Sequence, residues 1–386
     1  MNSPTRKNPE GLRIAFIGAR GIGSMYSGIE TYYEEVGHRL VARGHELLAY
    51  CRRHATPDDL DPRGIEPIFQ PCVRSKHGET FSHTLFSSFD VLRRNVDLVQ
   101  LHALGPSLFA PIPRSFGIPT VASIRGLDWQ REKWGRVATG FLKACENLSH
   151  RLPDATSVVS RTLADHYRAA HGAEVRCIPN GVNPVEAPEP REIRALGLEG
   201  RDYLLYMGRL SPEKGLDVLL RAFAPLAKRK KLVLAGGSSY TDSYLEELKR
   251  MAPENVLFTG RVDGRLRDEL YGNSYAFLLP STMEGLSVAL LEAMAFGSCV
   301  LTSDIPENRE LVDGIGHTFR VGDAASLQQA LEELLANPQA ARAAGEAAQR
   351  HVRQHYSWDE ITRQTEEFYF DVLDRGPRQH GARDAA

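Results

Sequence analysis

Short apolar runs alternate along the chain with longer stretches in which apolar residues recur every three or four positions, and glycine or proline stands at most junctions. Leu12 to Ile17 is the first apolar run. It closes in Gly18-Ala-Arg-Gly21-Ile-Gly23, and Glu30 to Arg43 then carries helical spacing until Gly44-His45 stops it. Glu46 to Cys51, Asp97 to Leu101 and Thr120 to Ile124 read as further strands. The second half repeats the theme with strands at Tyr203 to Met207, Leu232 to Ala235, Asn255 to Phe258, Tyr275 to Leu279 and Cys299 to Thr302, and helices at Gly215 to Ala227, Ser243 to Arg250 and Ser287 to Phe296. Parallel strands need crossover helices, so the alternation predicts an α/β chain of two Rossmann-like, doubly wound sheets with loops at the strand ends.

Between the halves, Asn183-Pro184-Val-Glu-Ala-Pro188-Glu-Pro190 continues neither a helix nor a central strand. The predicted organisation is a disordered lead-in over 1–11, an N-terminal domain over 12–183, a hinge linker over 184–198, a C-terminal domain over 199–356, a helix over 357–374 capped by Ser357, and a disordered tail over 375–386.

Composition narrows the class. A chain of 386 residues exceeds the usual size of one core, which makes two domains the default. With 42% hydrophobic and 25% charged residues it reads as a water-soluble globular protein, and no apolar run approaches the roughly 20 residues that cross a bilayer. The polar N-terminus lacks the core of a secretory signal, so a cytoplasmic location is expected. Five scattered cysteines without a Cys-x-x-Cys pair give no zinc or disulfide framework, and a formal charge of −2 gives no reason to expect nucleic acid.

Two segments carry chemistry. Gly208-Arg209-Leu-Ser-Pro-Glu-Lys214-Gly215 lies between a strand and a helix, at the sheet edge where open α/β folds bind ligands. A guanidinium and an ammonium there suit the charge that develops on a departing nucleoside diphosphate, and equally suit a solvated charged loop. In Pro280 to Gly297, Glu284 stands in a loop and Glu292 in the following helix, with the N–H groups of Gly285, Leu286 and Ser287 at its start. A helix start attracts phosphate, and an acceptor-only carboxylate suits pairs of sugar or ribose hydroxyls; the competing reading is a capped surface helix with ordinary acids.

Taken together, these segments resemble the retaining GT-B glycosyltransferases of family 4, whose signature is two glutamates separated by seven residues, here Glu284 and Glu292. The resemblance extends to Ile178-Pro-Asn180-Gly181-Val182-Asn183, to the Gly208 to Gly215 segment and to Thr259-Gly260-Arg261-Val262. It implies two domains facing a central cleft, with the C-terminal helix crossing back to pack on the N-terminal domain. It also implies Arg209 and Lys214 as diphosphate cations, Glu284 as the donor-sugar contact, Glu292 as the ribose contact, and Asn180, Gly208, Arg261, Gly285, Leu286 and Ser287 as donor-binding residues. Ile17-Gly18-Ala-Arg-Gly21 and Tyr26-Ser-Gly28-Ile-Glu30-Thr31 resemble polysaccharide-assembly members, including rhamnosyltransferase-like ones, with Gly28 approaching the donor phosphates. Gly18-x-x-Gly21-x-Gly23 is not the dinucleotide fingerprint, and no nicotinamide or other cofactor is expected. Many members have a histidine where this chain has Arg125, in Ser123-Ile-Arg125-Gly126-Leu-Asp128-Trp129. Either Arg125 replaces its hydrogen bond or the sugar preference has changed. His102, after the strand Asp97 to Leu101, is a further cleft candidate or simply a structural histidine, and Asp128 is another cleft candidate.

The implied activity is metal-independent hexosyl or deoxyhexosyl transfer, with retention, from a nucleotide sugar to a glycan or lipid-linked acceptor in polysaccharide or cell-envelope synthesis. The alternatives are a nucleotide-sugar epimerase or phosphorylase of the same fold, or a degenerate nucleotide- or glycan-binding subunit. Arg125, Arg131, Lys133, Arg136, Lys143 and Arg151 interleave with Trp129, Trp134, Phe141 and Leu142, a pattern that suits peripheral contact with the anionic inner membrane leaflet or a helix packing its aromatics inward.

Overall fold

The computed structural model describes residues 11–23, 28–75, 78–130, 135–237 and 242–376. The chain divides into two compact units, one formed by 1–180 with 358–386 and the other by 181–357.

In the first unit seven parallel strands, β1 (Arg13–Ile17), β2 (Glu46–Cys51), β3 (Glu66–Phe69), β4 (Leu98–His102), β5 (Thr120–Ile124), β6 (Ala155–Val158) and β7 (Arg176–Cys177), lie in the order β3-β2-β1-β4-β5-β6-β7. In the second, six strands, β8 (Tyr203–Met207), β9 (Lys231–Ala235), β10 (Val256–Gly260), β11 (Ala276–Leu279), β12 (Cys299–Ser303) and β13 (His317–Phe319), are ordered β10-β9-β8-β11-β12-β13. The central strands are mostly apolar and buried along nearly their whole length because helices cover both faces of a parallel sheet. Each sheet reverses its winding once, between β1 and β4 and between β8 and β11. At such a switch point the loops leaving adjacent strands part in opposite directions and open a crevice at the carboxyl edge.

The helix Trp358–Arg375 completes the first unit, its Trp358, Ile361, Phe368 and Tyr369 lying in one core with Ile14, Phe16, Tyr32 and Val36. Polar contacts fix its register: Tyr32 Oη and Thr365 Oγ1 lie 3.0 Å apart, Arg43 donates to Glu366 at 2.8 Å, and Tyr369 donates to Gln100.

Residues 184–198, expected as a hinge, are instead built into the second unit. The fully buried carboxylate of Glu269 accepts the backbone N–H groups of Arg191, Glu192 and Ile193 at 2.7, 2.7 and 3.2 Å. Prolines deny the segment a ladder of its own, and a side chain from the helix Gly264–Asn273 supplies the missing acceptors. The units divide instead at Asn180/Gly181 and Ser357/Trp358.

Four strands, β3, β6, β7 and β13, escape the sequence pattern because they are two to four residues long and carry proline, hydroxyls or charge. The helix Gly78–Asp90 escapes for another reason: its polarity is reversed. Ser82, His83, Thr84, Ser87 and Ser88 face inward, while Phe81, Phe86 and Phe89 are exposed.

Candidate active site

The loops that leave β8 and β11 flank the switch point of the second sheet. After β8, Gly208 adopts φ +153° and the chain turns through a short 3-10 segment, Pro212–Lys214, to Gly215 at φ +63°. A Cβ on Gly215 would stand 2.3 Å from the carbonyl oxygen of Pro280, so only glycine lets the two loops touch here. Thr282 N–H donates to Glu213 O at 2.9 Å and joins them again.

This contact brings Lys214 Nζ to 2.6 Å from Glu284 Oε1, both largely buried, with the side chains 14% and 10% exposed. The same oxygen accepts the Ser281 hydroxyl at 2.6 Å. Arg209 lies at 3.9 Å from Glu213, 28% exposed, and its carbonyl accepts the buried Tyr206 hydroxyl at 2.7 Å. Burial above all, then the Glu284 charge, pushes that phenol well above its ordinary value, with Arg209 opposing. Lysine and carboxylate nearly cancel each other's charge, whereas the more exposed Arg209 is held loosely. An arriving diphosphate would find that guanidinium first and Lys214 by exchange with Glu284.

Glu292 lies one helix turn beyond. Ser287 caps the helix Val288–Ala295 by accepting the Leu290 N–H, so Gly285 and Leu286 precede the helix rather than open it. Tyr271 Oη donates to Glu292 Oε2 at 3.0 Å, and Arg267 Nη1 is 3.9 Å from Oε1. This carboxylate is therefore anchored on one side and partly exposed on the other. Arg261 follows β10 on the surface. Among the supporting residues, Tyr206, Tyr271 and Arg267 belong to no spaced motif and arrive by strand order, whereas Ser281 lies within the Pro280 to Gly297 segment, three residues before Glu284.

In the first unit, Gly28 is the first residue of the helix Gly28–Ala42, and residues 24–27 of the preceding loop lie outside the described residues. Gly18 at φ +123° packs against the His102 backbone at the switch point, where a Cβ would fall 2.5 Å from its carbonyl. His102 is fully buried among Phe16, Tyr32 and Tyr33, and neither ring nitrogen has a hydrogen-bond partner. Burial, reinforced by Arg125, holds it well below the ordinary histidine value, hence neutral. Arg125 follows β5 and donates to Asn180 Oδ1 at 3.1 Å, which fixes Asn180, itself buried, as its partner. Asp128 opens the short turn Asp128–Gln130.

Of the basic and aromatic stretch, Arg131, Lys133 and Trp134 lie outside the described residues. Trp129 turns to the buried carboxylate of Glu146 and lies under Lys143 at 4.6 Å. Val137 and Phe141, on the helix Arg136–Ser149, remain exposed. No described helix is long and apolar enough to cross a membrane.

The profile of the family described as Glycosyltransferase Family 4 matches residues 26–186, and that of Glycosyl transferases group 1 matches residues 189–351. The chain is similar to the GDP-mannose-dependent alpha-(1-6)-phosphatidylinositol monomannoside mannosyltransferase of Mycolicibacterium smegmatis, with 28% identity over 366 residues, 86% of this chain and 91% of that protein. Solved structures share its fold, among them the two that follow. The sucrose-phosphate synthase of Thermosynechococcus elongatus aligns with a TM-score of 0.81 at 21% identity, over 95% of this chain and 100% of that one. Anabaena Alr3699/HepE in complex with UDP and glucose aligns at 0.77 and 18% identity, over 93% and 100%. With two such profiles in succession on two Rossmann-like parallel sheets, the chain belongs to the GT-B glycosyltransferases.

Proposed function

We propose that the enzyme moves a sugar from a nucleoside diphosphate donor to a glycan or lipid-linked acceptor, with retention at the anomeric carbon and without a metal ion, in the assembly of a polysaccharide or cell-envelope glycan. The observation that carries this reading is the pairing of Lys214 with Glu284 beside Arg209 at the switch point of the second sheet. Arg209 and Lys214 take the diphosphate, Glu284 holds hydroxyls of the transferred sugar, and Glu292 holds the ribose. The bond from the anomeric carbon to the phosphate oxygen breaks heterolytically, and the two cations stabilise the electron pair left on that oxygen. The acceptor hydroxyl forms the new bond on the same face and gives its proton to the departing phosphate, so no enzyme nucleophile is required. Because the cations supply the electrostatic role of a divalent ion, activity should withstand chelation.

The relative in Mycolicibacterium is named for a GDP-mannose donor and a phosphatidylinositol mannoside, which supports a nucleotide-sugar donor and a lipid-linked acceptor here. Exposed Val137 and Phe141 beside Arg136 and Lys143 support peripheral contact with an anionic leaflet. Co-sedimentation with anionic vesicles, and its absence with neutral ones, is the expected result.

The central test titrates the protein with UDP, GDP, ADP and dTDP by calorimetry, then follows nucleotide release from the matching sugar donors with and without EDTA. Binding of one nucleotide, with release that requires an acceptor and ignores EDTA, is expected. Loss of release on chelation would remove the metal-independent mechanism, and no binding of any of the four would remove the donor reading.

A further inference from the structure

Among the described residues, one guanidinium of the first unit, that of Arg125, has no carboxylate as a hydrogen-bond or ion-pair partner. Arg125 follows β5 at the carboxyl edge of the sheet, next to the strand that bears His102. Its Nε donates to Ser123 Oγ at 3.1 Å, and Nη1 donates to Asn180 Oδ1 at 3.1 Å and towards Ile178 O at 3.5 Å. Nη2 has no exposed surface and no hydrogen-bond partner. All the partners it does have are neutral.

The neighbours whose charges bear most on Arg125 are Tyr32, Tyr369 and Cys177, none of them a carboxylate. Burial pulls the guanidinium below the ordinary arginine value, with Tyr32 opposing. The Tyr32 ring, 3.9 Å from the guanidinium carbon, offers a cation–π contact. Withdrawing a cation from water costs more than one such contact returns, so the ring offsets only part of the penalty. Nearby His102 stays neutral and adds no anion.

We propose that the missing counter-charge comes with the substrate: Arg125 recognises a carboxylate on a sugar, so the enzyme handles a uronic acid as donor or as acceptor residue. This rests on the nucleotide-sugar reading above. A monoanion matches the single positive charge and the one unfilled end of the guanidinium. Phosphate sites are built instead from several converging donors, commonly a helix start with added cations, and here Nε and Nη1 are already committed to Ser123, Asn180 and Ile178. Nη2 itself is covered while Arg125 as a whole retains partial exposure, so a carboxylate that reaches this end must displace the side chains that cover it.

Calorimetry on the full chain tests this with matched pairs: UDP-glucose against UDP-glucuronate for an enzyme that binds UDP, or GDP-mannose against GDP-mannuronate for one that binds GDP. A second arm compares methyl glucuronide with methyl glucoside in saturating nucleoside diphosphate. The uronate should bind at least tenfold more tightly in one arm, and that arm identifies whether donor or acceptor carries the carboxylate. The preference should vanish in Arg125→Gln and survive in part in Arg125→Lys, with the affinity for the nucleoside diphosphate unchanged in both. Equal binding of the pair in both arms by the unmodified protein overturns the proposal without any variant. So does a preference that persists in Arg125→Gln, or a loss of nucleoside diphosphate binding in a folded Arg125→Lys. If none of the nucleoside diphosphates binds, the donor reading itself falls, whereas a bound nucleotide without uronate preference sinks only the role of Arg125.

Discussion

Lys214 and Glu284, seventy positions apart in the chain, meet at 2.6 Å where the loops after β8 and β11 touch. A pair so shielded from solvent holds each partner in place, and removal of either leaves a charge without its match. Lys214→Ala should lower the rate of sugar transfer about 100-fold or more, the scale expected when a preorganised charge facing the transition state is lost. Glu284→Gln should also impair transfer while leaving nucleoside diphosphate affinity within about threefold of wild type. Single-turnover release of nucleotide, with calorimetry in parallel, provides the measurement. A Lys214→Ala enzyme that keeps a third of the wild-type rate would refute the assignment.

Tyr271 should matter to nucleotide affinity without belonging to any motif. Its hydroxyl holds Glu292 at 3.0 Å, and its ring stacks on Phe296 with centroids 5.7 Å apart. Tyr271→Phe keeps the stacking and removes the hydrogen bond to a charged group, a loss worth about 1.5–3 kcal/mol. The Kd for the nucleoside diphosphate should rise about tenfold. An unchanged Kd would mean that Glu292 does not depend on this anchor or does not meet the ribose.

Gly215→Ala introduces both a side chain at φ +63° and a methyl group 2.3 Å from the Pro280 carbonyl. Backbone must move to admit it, and Lys214 moves with the backbone. We expect a loss of about 2 kcal/mol or more in stability together with reduced activity. Gly314→Ala, at φ +72° with nothing within 4 Å, isolates the backbone strain alone. Thermal melting should separate the two variants clearly, and equal melting temperatures would contradict the close approach of the loops.

Acid should weaken the first unit. His83 is fully buried, and burial, with help from the charge of Arg52, pulls its imidazole from the ordinary 6.5 down to about 4. Between those values the unfolded chain takes up a proton that the folded chain refuses, so stability falls as pH drops below 6.5. His83 alone should account for about 2 kcal/mol between pH 7.5 and pH 5, and His102 acts in the same direction. All three tryptophans fall within the sequence ranges of the first unit, so urea titrations followed by tryptophan fluorescence report on it. His83→Gln should flatten the pH dependence by that amount, and an unaltered slope would exclude His83 as its source.

Much of the second sheet is legible from sequence because its central strands are mostly apolar and turn-forming residues follow them, Gly208 after β8, Gly236 after β9 and Pro280 after β11. The helix Gly78–Asp90 is illegible for the opposite reason, since its phenylalanines face out and its serines face in. Residues 184–198 read as a linker because prolines announce only that a segment lacks its own hydrogen bonds, whereas Glu269, some eighty residues later, supplies them.

The order of residues by itself determined the alternation of strands and helices, the two-sheet α/β class and the types of charged group set at the strand ends, since these depend on local periodicity and on spacing. Only the tertiary structure decided which strands are neighbours, and hence that the reversals fall between β1 and β4 and between β8 and β11. That choice arises from long-range pairing and burial. It brings Lys214 to Glu284, sets Tyr271 under Glu292, and gives Arg125 inside the first unit neutral hydrogen-bond partners among the described residues.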